Sequence, residues 1–420
     1  MKESVFKALQ SRNYRLYFTG QSVSLIGTWM QRTAVYWLVY DQTHSPFMLG
    51  VAVFANQFPS FLFSIAGGVI SDRYDRYRVL LITQILSLIQ AVTLTVLVIY
   101  DYDVWQLLAL SVVLGVINAF DVPARQSLIY DMVSHKDHLP NAIALNSSMV
   151  HAARLAGPAI AGIVLEKLGA SVCFLLNAVS FLTVIASMFL MRMPVFKKHE
   201  RINNALTDLK NGFIYLKQTP TISNVMLLLA AVSLVSLPYI ALLPVYAKEI
   251  LIGDASTFGY LNSFIGLGAL TGAIFLASLK TGTNLKRVLF INTIVFGVGL
   301  VVFSHLTSLP VALLCVTVIG FGMMSQTTIS NTLIQTTVAP AMRGRVISFY
   351  AMAFFGMQPI GGILIGLMAD QIGAPKTLLI EGVATLFIAF LFFPFLTKRE
   401  LESKQKMKMD QLEERTIEAT

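Results

Sequence analysis

Charge is scarce in this sequence: Asp, Glu, Lys and Arg make up only 13% of its 420 residues. Cysteine is scarcer still, with Cys173 and Cys315 both set in apolar runs, which excludes a disulfide framework and a cysteine metal site. No Gly-x-x-x-x-Gly-Lys-Ser/Thr loop is present, which excludes a self-contained ATP-driven pump. The six histidines are scattered; His135 and His138 share a loop but show no metal-ligand spacing. No catalytic constellation is found, so neither an enzyme nor a cofactor is expected. Residues 1–15 are polar and basic, and the first apolar stretch is too long for a signal peptide and lacks a small-residue cleavage site, so no cleavable leader is expected.

What the chain has in abundance is apolar length. It is 55% hydrophobic, with 28 Phe and 17 Met and a mean hydropathy of +0.70. A water-soluble core cannot hide that much apolar surface, so lipid must be its solvent. A hydrocarbon layer about 30 Å thick needs roughly 20 helical residues. Twelve such stretches are expected near 16–40, 47–71, 79–100, 104–124, 141–165, 170–191, 222–247, 256–279, 287–304, 309–333, 345–369 and 375–397. They must be helices, because lipid offers no partner to open backbone groups.

Basic residues give the orientation. With the N-terminus in the cytoplasm, 26 of the 31 Lys and Arg fall in cytoplasmic segments. Lys167, Lys248 and Lys376 fall outside, and Arg32 and Arg154 lie within spans. The net charge of +9 is thereby explained as topology and not as nucleic-acid binding. The expectation is a multi-pass protein of the plasma (inner) membrane with both termini cytoplasmic.

The longest internal polar segment, about 192–221, divides the spans into residues 1–191 and 222–397, followed by a cytoplasmic tail, 398–420. Within it Leu206, Leu209, Phe213 and Leu216 recur at helical spacing. They suit an amphipathic helix on the inner membrane face, or equally a solvated linker helix. The halves echo each other: Ser127-Leu128-Ile129 matches Thr332-Leu333-Ile334. Gly162 with Leu165 to Ala170 likewise matches Gly366 with Ala369 to Ala374.

Between the second and third spans lies Gly68-Val69-Ile70-Ser71-Asp72-Arg73-Tyr74-Asp75-Arg76-Tyr77-Arg78, a charged turn clamped between apolar stretches. It resembles the loop joining the second and third helices of major facilitator superfamily transporters. Gly68, Asp72, Arg73 and Arg76 fit that pattern; Asp75 replaces a glycine and Tyr77 a basic residue. The resemblance implies two pseudo-symmetric six-helix bundles and a cytoplasmic gate. In that gate Asp72 faces the start of the eleventh helix near Arg345, and Arg76 pairs with Asp121. Asp121 and Arg125 share a helix face if the helix survives Pro123. The Asp-x-Pro-x-Arg-Gln run is similar to the multidrug and siderophore exporter branch. Ala153, Gly157, Pro158, Ala161 and Gly162 resemble the fifth-helix motif of drug–proton antiporters, a branch that includes enterobactin exporters. Ala153, Gly157 and Ala161 also offer one small face for close helix packing.

Polar residues in the spans mark a candidate substrate pathway. Gln21, Ser24, Thr28, Gln31 and Arg32 form a stripe on span one, joined by Asn56, Gln326 and Gln358. The same side chains can also bind helices to one another. Arg154 lies about 20 Å from the inner end of span five at 1.5 Å per residue, too deep to snorkel. It must find water or partners, and it could attract an anionic substrate, tune a carboxylate or clamp backbone carbonyls. Carboxylates for proton coupling are few: Asp121 and Glu381 are the candidates. The expected activity is export of an amphipathic small molecule, a drug or siderophore-like metabolite, by proton antiport. The alternatives are transport of lysophospholipid or another metabolite with different direction or coupling, and a non-transporting membrane sensor or scaffold. Small-molecule substrate, protons and membrane lipid are the expected partners of a monomer, with no nucleic acid.

Overall fold

The computed structural model describes residues 6–193, 205–280, 282–339 and 342–394. The helices, in chain order, are α1 (Arg12–Thr43), α2 (Pro46–Arg73), α3 (Arg76–Tyr100), α4 (Val104–Met132), α5 (Leu139–Leu168), α6 (Ala170–Phe189) and α7 (Ala205–Gln218). They continue as α8 (Pro220–Ile250), α9 (Ala255–Ala277), α10 (Leu285–Phe303), α11 (Leu309–Thr337), α12 (Arg343–Ile372) and α13 (Ala374–Pro394). Among the described residues there is no strand. Eleven of these helices are long and apolar enough to cross a membrane. The long α1, at 32 residues, falls outside that set, because polar residues run along its length.

Local signals explain several helix ends. Ser45 caps α2 ahead of Pro46, Asp103 makes a capping box with Gln106 at α4, and Asn284 caps α10. Gly169 and Gly373 break the chain after α5 and α12 at φ +83° and +84°. This left-handed region suits glycine, and the two turns fall at matching places in the sequence echo.

Three helices differ from the sequence expectation. Pro123 does not end α4, which runs on to Met132, eight residues past the expected limit. The charged turn between the second and third spans is shorter than expected. Asp72 and Arg73 ride on the last turn of α2, and only Tyr74 and Asp75 join the helices. Asp75 caps α3 by accepting from the Tyr77 amide at 3.0 Å. Third, α8 is broken: a tighter turn occupies Leu237–Leu242, where Pro238 lacks the N–H a regular helix would use. A wide-turn segment follows over Tyr246–Ile250.

Helix α7 packs against the start of α12, with Phe213 and Phe349 rings 6.4 Å apart. Leu216 is buried and Phe213 is 62% exposed; the side chains of Leu206 and Leu209 lie outside the described part of the structure.

Two helix pairs join the first six helices to the later ones most closely: α5 with α9, and α2 with α12. A Cβ on Gly259 would sit 2.5 Å from the Pro158 carbonyl, and one on Gly162 would sit 2.8 Å from the Ala255 carbonyl. A Cβ on Gly50 would sit 2.3 Å from the Gly362 carbonyl. Backbones this close need small residues, the usual solution where lipid gives helices no hydrophobic drive to associate.

Candidate functional site: a polar seam through the bundle

The charged residues near Arg76 form a network other than the one the family resemblance implied. Arg76 Nη1 pairs with Asp131 Oδ2 at 3.3 Å, and Arg76 Nε donates to the Ser71 carbonyl. Asp121 pairs instead with Arg125 at 3.4 Å, and it accepts from Thr83 at 3.0 Å and Gln84 at 2.7 Å. The expected Arg76–Asp121 pair is therefore replaced, because the continued α4 carries Asp131 to the end where α3 begins. Asp131 was missed in the sequence because α4 was expected to stop near residue 124. The side chain of Asp72 lies outside the described part, and Arg345 is the third residue of α12. Gly68 has open space around its missing Cβ, whereas a Cβ on Gly67 would sit 1.9 Å from the Ala119 carbonyl.

The polar stripe of α1 divides. Gln31 is buried: its amide donates to Gln90 at 3.0 Å and accepts from Asn177 at 2.7 Å, tying α1 to α3 and α6. Gln90 in turn donates to the Leu110 carbonyl. Thr28 donates to the Ser24 carbonyl. Gln21 is buried with its Oε1 unpartnered. Asn56 and Gln358 are partly buried. Gln326 is fully buried, with neither amide atom partnered among the described residues.

The fifth-helix residues serve more than one neighbour. Gly157 lets α5 approach Trp29 of α1, while Pro158 and Gly162 meet α9. Ala153 and Ala161 are buried. Arg154 lies halfway along α5, with its guanidinium carbon 5.6 Å from the Trp29 ring.

Glu381 is fully buried, and neither carboxylate oxygen has a hydrogen-bond partner among the described residues. It is the eighth residue of the 21 in α13. Thr377 and Thr385, one turn to each side and also fully buried, share its face. Thr385 Oγ1 lies 2.6 Å from Ser236 Oγ, which docks that face on α8. Ser233, Ser236 and Tyr239 form the opposing stripe, all at 0% exposure, and the Tyr239 and Ser233 hydroxyls lack partners among the described residues. Arg154 and Glu381 are both electrostatic neighbours of Tyr239, so the polar seam crosses from α5 through α8 to α13. The sequence carried a signal for these residues, namely hydroxyls at intervals of three and four beside Glu381 and Tyr239.

At the opposite end from Arg76, polar contacts clasp the two parts of the chain. Lys248 pairs with Asp41 at 2.5 Å, Tyr40 donates to Glu249, and Ser45 donates to Asp370 at 3.0 Å. Among the described residues no three or more His, Cys, Asp or Glu gather as a metal site.

Comparison with known proteins agrees with this architecture. A family described as transmembrane secretion effectors matches residues 3–420. The staphyloferrin A transporter of Staphylococcus aureus is 25% identical over 93% of this chain and 98% of its own length. Macrolide efflux protein A of Streptococcus pyogenes is 22% identical over 90% and 96%. The enterobactin exporter of Salmonella choleraesuis is 23% identical over 90% and 91%. In fold, the chain is similar to a POT family transporter crystallised with 5-aminolevulinic acid. The TM-score is 0.74 at 14% identity, covering 93% of this chain and 99% of that one.

Proposed function

This chain belongs to the transmembrane secretion effector family of the major facilitator superfamily, membrane transporters and not enzymes, and we propose that it exports an amphipathic small molecule in exchange for protons. The cargo is a drug or a siderophore-like metabolite, as in the relatives. In this reading α1 joins the eleven other spans to make twelve, in two bundles of six that rock about the α2–α12 and α5–α9 contacts. The Arg76 end faces the cytoplasm, supported by the concentration of Lys and Arg there, so both termini are cytoplasmic and the membrane is the inner one. Asp72, Arg73, Arg76, Asp121, Arg125 and Arg345 act at the inner mouth, and the clasp at Asp41 and Lys248 closes the outer one. The chain works as a monomer, with α7 lying on the inner membrane face.

One observation carries the proton coupling: Glu381 is enclosed with both oxygens unpartnered among the described residues. An ionised carboxylate so placed costs several kcal/mol, and a proton removes that cost. Asp121, by contrast, is partnered by Arg125, Thr83 and Gln84. Glu381 is therefore the proton carrier in this reading, and alternating access exposes it first to one side and then to the other.

Everted vesicles holding a pH-sensitive dye test the proposal. Addition of the right cargo should release protons from the lumen. A broad panel of dyes, antibiotics and siderophores that gives neither proton movement nor accumulation would overturn it.

A further inference from the structure

Two arginines meet at one indole ring. The guanidinium carbon of Arg32 lies 5.3 Å from the Trp29 centroid and that of Arg154 lies 5.6 Å from it. Arg32 also stands 5.5 Å over the Tyr36 ring and donates to the Tyr36 hydroxyl at 3.2 Å. Cations gather over aromatic faces, but two like charges around one ring repel each other, and Arg32 and Arg154 do sense one another. Neither makes an ion pair with a described carboxylate. Along α1 the nearest acid is Asp41, nine residues on and held by Lys248. Along α5 it is Glu166, twelve residues or roughly 18 Å away at 1.5 Å per residue.

Arginine usually enters such an interior with a carboxylate or phosphate across from it, because its planar fork fits those groups in pairs. Here two guanidiniums gather and no described carboxylate pairs with either; Glu381, the acid across the seam, stands on the far side of Tyr239. Both side chains keep some accessible surface although protein surrounds them. They stand midway along their helices, Arg32 at the twenty-first of 32 residues and Arg154 at the sixteenth of 30. That depth is where transporters of this architecture hold cargo. The tight approach of Gly157 to Trp29 fixes α1 against α5 and so fixes the spacing of the two guanidiniums.

We propose that Arg32, Arg154 and Trp29 form the cargo-binding site for an organic anion, with carboxylate or other acidic oxygens on the guanidiniums and a flat apolar body against the indole. This specifies the substrate class of the export reading and rests on it. The site selects against cations, since a cationic drug would add a third positive charge to the pair. Tyr239, an electrostatic neighbour of Arg154 with an unpartnered hydroxyl, supplies a hydrogen bond to the same anion from α8.

The test uses the full chain in nanodiscs, with carboxyfluorescein as an aromatic anion and ethidium as an aromatic cation of comparable size. Fluorescence anisotropy should show the anion binding at least about tenfold more tightly, the effect of one charge-assisted hydrogen bond. Arg154→Gln and Arg32→Gln should each weaken the anion about tenfold, and Arg154→Lys, which keeps the charge, should restore part of the loss. Should Arg154→Gln fail to fold, Arg32→Gln and Arg154→Lys still decide the matter. Ethidium binding as tightly as carboxyfluorescein, or Gln variants that bind the anion unchanged, would overturn the site. A parallel assay in everted vesicles separates the two readings. Ethidium transport without arginine-dependent anion binding sinks the anion site and leaves export standing. Arginine-dependent binding with no proton movement for any cargo supports the site and sinks export.

Discussion

Lys248 Nζ lies 2.5 Å from Asp41 Oδ1, joining the end of α1 to the broken end of α8 across the two parts of the chain. His44 Nε2, 3.5 Å away, and the Tyr40–Glu249 hydrogen bond surround the same contact. Side-chain exposure is 29% for Lys248 and 50% for Asp41, so water screens the pair and its net value is about 0–1 kcal/mol. Lys248→Met should therefore lower thermal stability only slightly while, in the proposed transport cycle, shifting the balance of open and closed states at this end. The exchanged pair Asp41→Lys with Lys248→Asp should recover the wild-type balance. Labelling of a cysteine introduced at Ser45 reads that balance, and equal labelling in all three proteins would deny the clasp a gating role.

Gly67 and Gly68 should respond oppositely to alanine. At Gly67 the new Cβ would press on the Ala119 carbonyl from 1.9 Å, whereas at Gly68 it meets nothing. Overpacking of this kind costs typically about 1–3 kcal/mol. Melting curves of the two variants in detergent give the comparison. A Gly67→Ala protein as stable as Gly68→Ala would mean that α2 and α4 are farther apart than described here.

Arg76 should couple to Asp131 and not to Asp121. Paired and single alanine variants in a double-mutant cycle should give an interaction of roughly 0.5 kcal/mol for Arg76 with Asp131, as suits a pair whose side chains are 25% and 32% exposed. The Arg76–Asp121 cycle should be additive. The reverse result would restore the pairing that the family resemblance implied. Neutralising Asp72 should cripple transport while leaving membrane insertion intact, and full activity would sink its gate role.

Glu381→Gln should abolish cargo-linked proton release in everted vesicles while leaving insertion and cargo binding measurable. Asp121→Asn should keep proton movement but lose stability, on the order of 1–3 kcal/mol, because Arg125 would lose its partner. If Asp121→Asn removes the coupling and Glu381→Gln does not, the proton carrier is Asp121.

Asp254 offers a pH test outside the spans. Burial works against its charged form, but hydrogen bonds from Ser256 and Thr257 outweigh that and hold its carboxyl below the ordinary value. A depressed folded value means that the stabilisation is complete above the unfolded value of about 3.9 and is lost as pH falls through the lower folded one. Asp254→Ala, which removes the cap of α9, should cost about 1 kcal/mol near pH 7. The gap from wild type should close toward pH 2 in thermal melts. A gap that does not change with pH would mean that the cap works without its charge.

The sequence by itself determined the class of protein. Apolar runs of membrane length require helices, and their spacing placed nearly every described span within a few residues. Short motifs gave the superfamily, and the charge count gave an expected orientation. These features are local or one-dimensional, so a linear reading reaches them. Only the tertiary structure decided partners and environments. Asp121 and Glu381 look alike as isolated acids in apolar sequence. Folding surrounds the first with Arg125, Thr83 and Gln84 from two helices and leaves the second enclosed with no partner among the described residues. Gln31 looked like part of a pathway, yet its amide is taken up by Gln90 and Asn177. Arg32 and Arg154, 122 residues apart in the chain, meet only because Gly157 lets α5 close on Trp29. Which face of a helix turns inward, and what it meets there, depends on the packing of several helices at once. No single stretch of sequence contains that information.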